Sequence, residues 1–216
     1  MLLIACSSPE KINREQDLVK VLFDDGLKTF HLRKPNHSEE EMRAWLDKTD
    51  EDVKKHLVLH SHWNLAEEYQ LKGIHFGAHA YSLLSVEEKN YWLGKKKLTH
   101  SSSVHNQAEV DQLEIGFDYA WLSPVFESLS KPDYRSDLNV TQFDALSRYI
   151  KTHKKTTVYA LGGITAERIA ELKNRPFDGA VVLGALWNNI KGIEDQKILQ
   201  QRFTELQKAC KANPIH

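Results

Sequence analysis

The chain has 216 residues, 41% hydrophobic and 27% charged, with a formal net charge of −1. This is enough apolar material for one sizeable core, which excludes a disordered chain. Near-neutral charge with no basic block argues against nucleic acid or an anionic membrane as the main partner, and no stretch nears the roughly 18 apolar residues of a membrane span.

The chain opens on a short apolar run with no basic start, so Leu2–Cys6 reads as a first strand and not as a signal peptide. Further strands are expected over Lys28–Arg33, Leu57–Ser61, Gly73–Phe76, Lys97–Ser101, Asp118–Ser123, Thr156–Gly162 and Asp178–Gly184. Helical patterns fall between them at Glu15–Asp25, Ser38–Lys48, Trp63–Gln70, Gln107–Ile115, Thr141–His153 and Thr165–Lys173, with two short turns near Ser85–Leu93. A last helix, about 195–212, has no strand after it. Eight strand–helix units in strict alternation imply a parallel sheet closed on itself: a single-domain α/β protein, a (β/α)8 TIM barrel over residues 1–216. The two cysteines, Cys6 and Cys210, sit near opposite ends in no metal or redox spacing, which reads as reduced thiols of a cytoplasmic protein.

In such a barrel the chemistry sits at the carboxyl ends of the strands. The last two strands end on glycine: Gly162-Gly163 comes just before a helix that Thr165 can cap, and Gly184 follows Val181-Val182-Leu183. Bare backbone N–H groups beside helix starts, on the loops after strands seven and eight, suit a phosphate. Arg33, Lys34, Ser103, Ser128, Ser130 and Lys131 fall at other strand ends, and their charges and hydroxyls fit an anionic ligand.

These pieces, in this order, resemble the thiamine phosphate synthase family, including its thiazole tautomerase branch. The resemblance runs from about residue 2 to about 190. The strand-two signature Gln-Leu-Arg-Glu-Lys is represented by His31-Leu32-Arg33-Lys34-Pro35, and Gly-Val-His-Leu-Gly-Gln by Gly73-Ile74-His75-Phe76-Gly77-Ala78. Gly-x-Ser-x-His corresponds to Ser101–His105, and Gly-Pro-Val-Phe followed by Thr-x-x-Lys to Ser123–Phe126 and Ser128–Lys131. Ala-Ile-Gly-Gly-Ile corresponds to Ala160–Ile164, and the final motif to Asp178–Leu186, with Gly184 where serine is usual.

The resemblance implies condensation of a pyrimidine diphosphate with a thiazole phosphate, releasing pyrophosphate, with Mg²⁺ as cofactor and a homodimer as a family expectation. It implies catalytic roles for Arg33, Ser103 and Lys131, and binding roles for His31, His60, Ser128, Gly162, Gly163 and Gly184; His105, at the end of the Ser101–His105 motif, is a further catalytic candidate chosen for its chemistry. The family's two magnesium aspartates correspond to Ser61 and Ala80, so the usual Mg²⁺ ligands are missing. Lys34 is the expected substitute for the motif lysine, replaced by Pro35. The tautomerase branch's catalytic histidine corresponds to Pro124, so an isomerase needs another base, with His105, His31 and His60 as candidates. A non-catalytic thiazole phosphate binder is a further alternative.

Seven of the eleven histidines fall at or near strand ends. His75 and His100 lie within strands and read as wall or core residues. His60 and His62 alternate along an extended chain, which would put both imidazoles on one face. With His79 they would suit Zn²⁺ better than Mg²⁺, and a transition-metal hydrolase is the weakest alternative. Trp45, Trp63, Trp92, Trp121 and Trp187 read mostly as core.

Overall fold

The computed structural model describes residues 1–127 and 138–212. Ser128, Ser130 and Lys131 therefore lie outside the described residues. Eight parallel strands close in sequential order: β1 (Leu2–Cys6), β2 (Phe30–Leu32), β3 (Leu57–Leu59), β4 (Gly73–Phe76), β5 (Thr99–Val104), β6 (Tyr119–Leu122), β7 (Thr157–Ala160) and β8 (Gly179–Val182). β8 returns to β1 with Leu2 beside Gly179 and Ala5 beside Val182. The expected barrel is thus the observed one.

The helices in order are α1 (Glu15–Asp24), α2 (Glu39–Asp47), α3 (Glu51–Lys54), α4 (Asn64–Glu68), α5 (Ala78–Ser82), α6 (Val86–Leu93), α7 (Gln107–Gln112), α8 (Val140–Tyr149), α9 (Ala166–Glu171), α10 (Gly184–Trp187) and α11 (Gln196–Lys211). Their starts are written in side chains. Ser38 with Glu41, Ser85 with Glu88 and Asn139 with Gln142 form reciprocal capping boxes, and Thr165 accepts from the N–H of Arg168. Two differences from the sequence reading stand out. The stretch after β4 holds two helices, α5 and α6, where only short turns near Ser85–Leu93 were expected. The helix expected to reach His153 ends at Tyr149 and continues as a π turn over Ile150–Lys154.

Side-chain parity divides the interior. Along each strand successive side chains point to opposite faces. Phe30, Leu32, Ile74, Phe76, Ala120, Leu122, Val158 and Ala160 join the core between sheet and helices. Ile4, Cys6, Tyr119, Trp121, Tyr159 and Val181 form a separate cluster within the barrel. His31 and His75 share that inward parity on β2 and β4, each bracketed by two outward apolar residues. The barrel lumen is therefore apolar on one side and imidazole- and hydroxyl-lined on the other. Among the described residues, no helix is long and apolar enough to cross a membrane.

Candidate active site

A cavity of about 480 Å³ opens at the carboxyl end of the barrel. Of the residues singled out from sequence, Arg33, His60, Ser103, His105, Gly162, Gly163 and Gly184 all line it. They come from five different strand ends, and closure of the barrel is what brings them together. Arg33 is exposed, and among the described residues its guanidinium makes no hydrogen bond or ion pair.

The glycine turns form one wall. Gly162 has φ +99° and a Cβ there would lie 2.7 Å from the Cα of Pro124. Gly163 has φ +61° and a Cβ would meet the carbonyl of Glu127 at 2.3 Å. Backbone packing alone thus dictates these two glycines. Gly184 differs: the nearest atom to a built Cβ is the Asn188 side chain at 3.4 Å. Among the described residues, the backbone N–H groups of Gly163, Ile164 and Gly184 donate to no protein acceptor. Amides left open on two adjacent turns make a concave cradle for an anion.

The opposite wall is built on histidine. His60 and His75 both line the cavity, with ring centroids 4.2 Å apart and planes 25° from parallel. His60 Nε2 lies 2.9 Å from His31 Nδ1, and His31 Nε2 lies 2.7 Å from the Tyr119 hydroxyl. His75 Nδ1 and Nε2 meet the hydroxyls of Ser101 and Ser103 at 2.9 and 2.8 Å. Trp121 packs beneath, 4.3 Å from the centroids of both His31 and His75. Burial pushes all three imidazoles down, His75 to about 3 and His31 and His60 well below the usual range, and their mutual proximity adds to the effect for His31 and His60. They are neutral at physiological pH. His105 is held differently. The Glu109 carboxylate accepts from its Nδ1 at 2.8 Å and from its backbone N–H at 2.7 Å, which leaves Nε2 as the lone-pair nitrogen.

Several expectations need correction. His31 is fully buried and does not line the cavity; it stands behind His60. Lys34 does not replace the motif lysine. It is buried, its ammonium donating to the carbonyls of Ser8 and Glu10 and to Glu15. His62 does not share a face with His60: the chain has left the strand at Leu59, His62 has φ +52°, and its Nε2 lies 3.1 Å from the carbonyl of His37. His79 lines the cavity but on α5. His75 is a buried wall residue, as expected, but the wall it forms is that of the cavity, whereas His100 is buried outside the cavity. Trp121 is buried core, as expected, and also forms part of the cavity floor. Parity would have found His75 and Trp121: Ile74-His75-Phe76 and Ala120-Trp121-Leu122 alternate, while His100 lies one step out of phase with inward Ser101.

The donor set also tests the expected Mg²⁺. Among the described residues, no Asp or Glu lines the cavity. A hard cation that demands oxygen ligands finds imidazoles and hydroxyls among the described residues here, and these groups do not fit it.

The chain is similar to known proteins along nearly its whole length. A family model described as thiamine monophosphate synthase matches residues 1–186. A thiamine-phosphate synthase of Lawsonia intracellularis is 24% identical over 159 residues, covering 72% of this chain and 70% of that protein. Among solved structures, a thiamine phosphate pyrophosphorylase from Bacteroides thetaiotaomicron superposes with a TM-score of 0.74 at 27% identity, covering all of both chains. One from Pyrococcus furiosus gives 0.76 at 18% identity, covering 98% of this chain and 96% of that one, a likeness of fold.

Proposed function

Since this chain belongs to the thiamine monophosphate synthase family, we propose that its cavity condenses a pyrimidine-methyl diphosphate with a thiazole phosphate and releases pyrophosphate. The observation that carries this reading is that two anion-binding features line one cavity: the amides of Gly163, Ile164 and Gly184 and the guanidinium of Arg33, all without a protein hydrogen-bond partner among the described residues.

The thiazole phosphate group seats on the glycine turns. Its ring then reaches toward the centre of the cavity, above Trp121. The diphosphate lies against Arg33 and Ser103, with Ser128 and Lys131 assigned to the same task by their motif. The carbon–oxygen bond between the pyrimidine methylene and the diphosphate breaks, and its electron pair leaves with pyrophosphate. Arg33 stabilises that growing negative charge more than the ground state, which is what lowers the barrier. The thiazole nitrogen supplies its lone pair to the methylene carbon, so the new carbon–nitrogen bond needs no protein base. On this reading the protein is a divergent synthase, with Ser61 and Ala80 standing where the family carries its aspartates.

The Glu109–His105 pair favours a second reading. A carboxylate that fixes Nδ1 leaves Nε2 ready to take a proton, as proton transfer on a thiazole carboxylate phosphate would require. One experiment separates the two. Purified protein is incubated with the pyrimidine diphosphate, the thiazole phosphate and Mg²⁺ in solution, and thiamine phosphate and pyrophosphate are measured. Equal amounts of both products support condensation. Neither product, together with isomerisation of the thiazole carboxylate phosphate, would replace it with the second reading.

A further inference from the structure

His31, His60 and His75 each offer a ring nitrogen, and the three atoms lie within 4.8 Å of one another. We infer that this trio is a transition-metal site of the Zn²⁺ class, open to the cavity on one side. The inference is independent of the condensation reading.

The hydrogen bonds assign the nitrogens. His31 Nε2 is turned toward the Tyr119 hydroxyl at 2.7 Å, which leaves Nδ1 facing His60. His60 presents Nε2 to that same point, 2.9 Å away. In the metal-free protein one of these nitrogens must carry a proton for the contact to be attractive. With the His60 proton on Nδ1 instead, both nitrogens present lone pairs, and a cation between them replaces the hydrogen bond. His75 has a serine hydroxyl on each nitrogen, so it can give up one and keep the other as the group that orients its ring. Outer hydroxyls that hold the far nitrogen of a ligand imidazole are the usual support of such sites.

Three neutral nitrogen ligands favour Zn²⁺, Co²⁺ or a neighbouring transition ion over Mg²⁺. Bonds of about 2.0–2.1 Å place tetrahedral ligand nitrogens about 3.4 Å apart. The trio brackets that spacing, with one pair 2.9 Å apart and all three atoms within 4.8 Å. Trp121 closes one side of the cluster. His60 and His75 line the cavity, which provides the route of entry and leaves a fourth position open. Arg33 lines the same cavity, so an anionic oxygen is the ligand that completes the site and offsets the charge.

The test uses the whole chain, stripped with a chelator and titrated with Co²⁺, then with Zn²⁺ in competition. We expect one equivalent of Co²⁺ with the intense visible bands of a tetrahedral ion, displaced by Zn²⁺. His60→Ala, folded by circular dichroism, should weaken binding by at least about 100-fold, whereas His105→Ala should bind as the wild type does. X-ray absorption of the Zn²⁺-loaded wild type, which depends on no variant, should show three imidazole nitrogens at about 2.0–2.1 Å. Absence of saturable binding, an oxygen-only shell, or wild-type affinity in His60→Ala would overturn the assignment.

Discussion

The ammonium of Lys34 lies 2.7 Å from a carboxylate oxygen of Glu15, with the two side chains only 1% and 3% exposed. Trp45 Nε1 donates to the same carboxylate at 3.0 Å. One buried contact therefore ties the residues after β2 to α1 and α2, and fixes the backbone from which Arg33 enters the cavity. Desolvation pushes the Glu15 carboxyl up despite its partner. Removing one member of such a pair strands the other charge in a dry site. Lys34→Met should lower unfolding stability by about 3–5 kcal/mol, and the double variant Lys34→Met with Glu15→Leu should recover much of it. Urea denaturation checks both; a cost under about 1 kcal/mol in the single variant would show that the pair is not desolvated as described.

The two glycine turns should respond differently to the same substitution. Gly162→Ala meets the Pro124 backbone at 2.7 Å on a residue at φ +99° and should be strongly destabilising. Gly184→Ser has room, and the expected change in stability is within about 0.5 kcal/mol. Gly184→Asp keeps the fold but puts a carboxylate among the open amides. Calorimetric titration with thiazole phosphate should then lose the binding heat in Gly184→Asp and keep it in Gly184→Ser. Gly184 is thus the informative probe of the cradle, because failure at Gly162 would report folding instead of binding.

The thiols give a pH signature. Burial pushes Cys6 up to about 12 and Cys210 up to about 11, from an ordinary value of 9.0. An acid whose pKa is higher in the folded state stabilises the fold fully below its unfolded value, and that contribution is lost as pH rises through the folded value. Stability should therefore hold to about pH 9 and fall above it, each thiol adding up to about 1.4 kcal/mol per pH unit to the slope. Replacing both cysteines with alanine should lower stability at neutral pH but flatten the alkaline decline. At pH 8 neither thiol should react with a disulfide reagent until denaturant is added; rapid native labelling of Cys6 would contradict its burial.

Much of the architecture was legible because it rests on local rules. Alternation fixed the eight strands, and Ser38, Ser85, Asn139 and Thr165 mark helix starts in the sequence itself. The cavity's glycines and Arg33 were legible as strand-end residues. What escaped depends on direction. Lys34 and Arg33 are adjacent, yet one stem runs inward to Glu15 and the other reaches the cavity, and only the tertiary position of α1 decides which. His62 leaves its expected face because of a single left-handed residue conformation. His75 and Trp121 were within reach of a parity argument, since each is flanked by residues that must face the helices.

Arg33 is the charge on which the condensation reading depends most directly. The decisive measurement is steady-state formation of thiamine phosphate by the wild type, Arg33→Ala and Gly184→Asp, with both substrates varied. The account predicts product from the wild type, kcat lowered by about 10²–10³ in Arg33→Ala, and a raised KM for thiazole phosphate in Gly184→Asp. A wild type that binds thiazole phosphate but forms no thiamine phosphate, or two variants with unaltered kinetics, would contradict it.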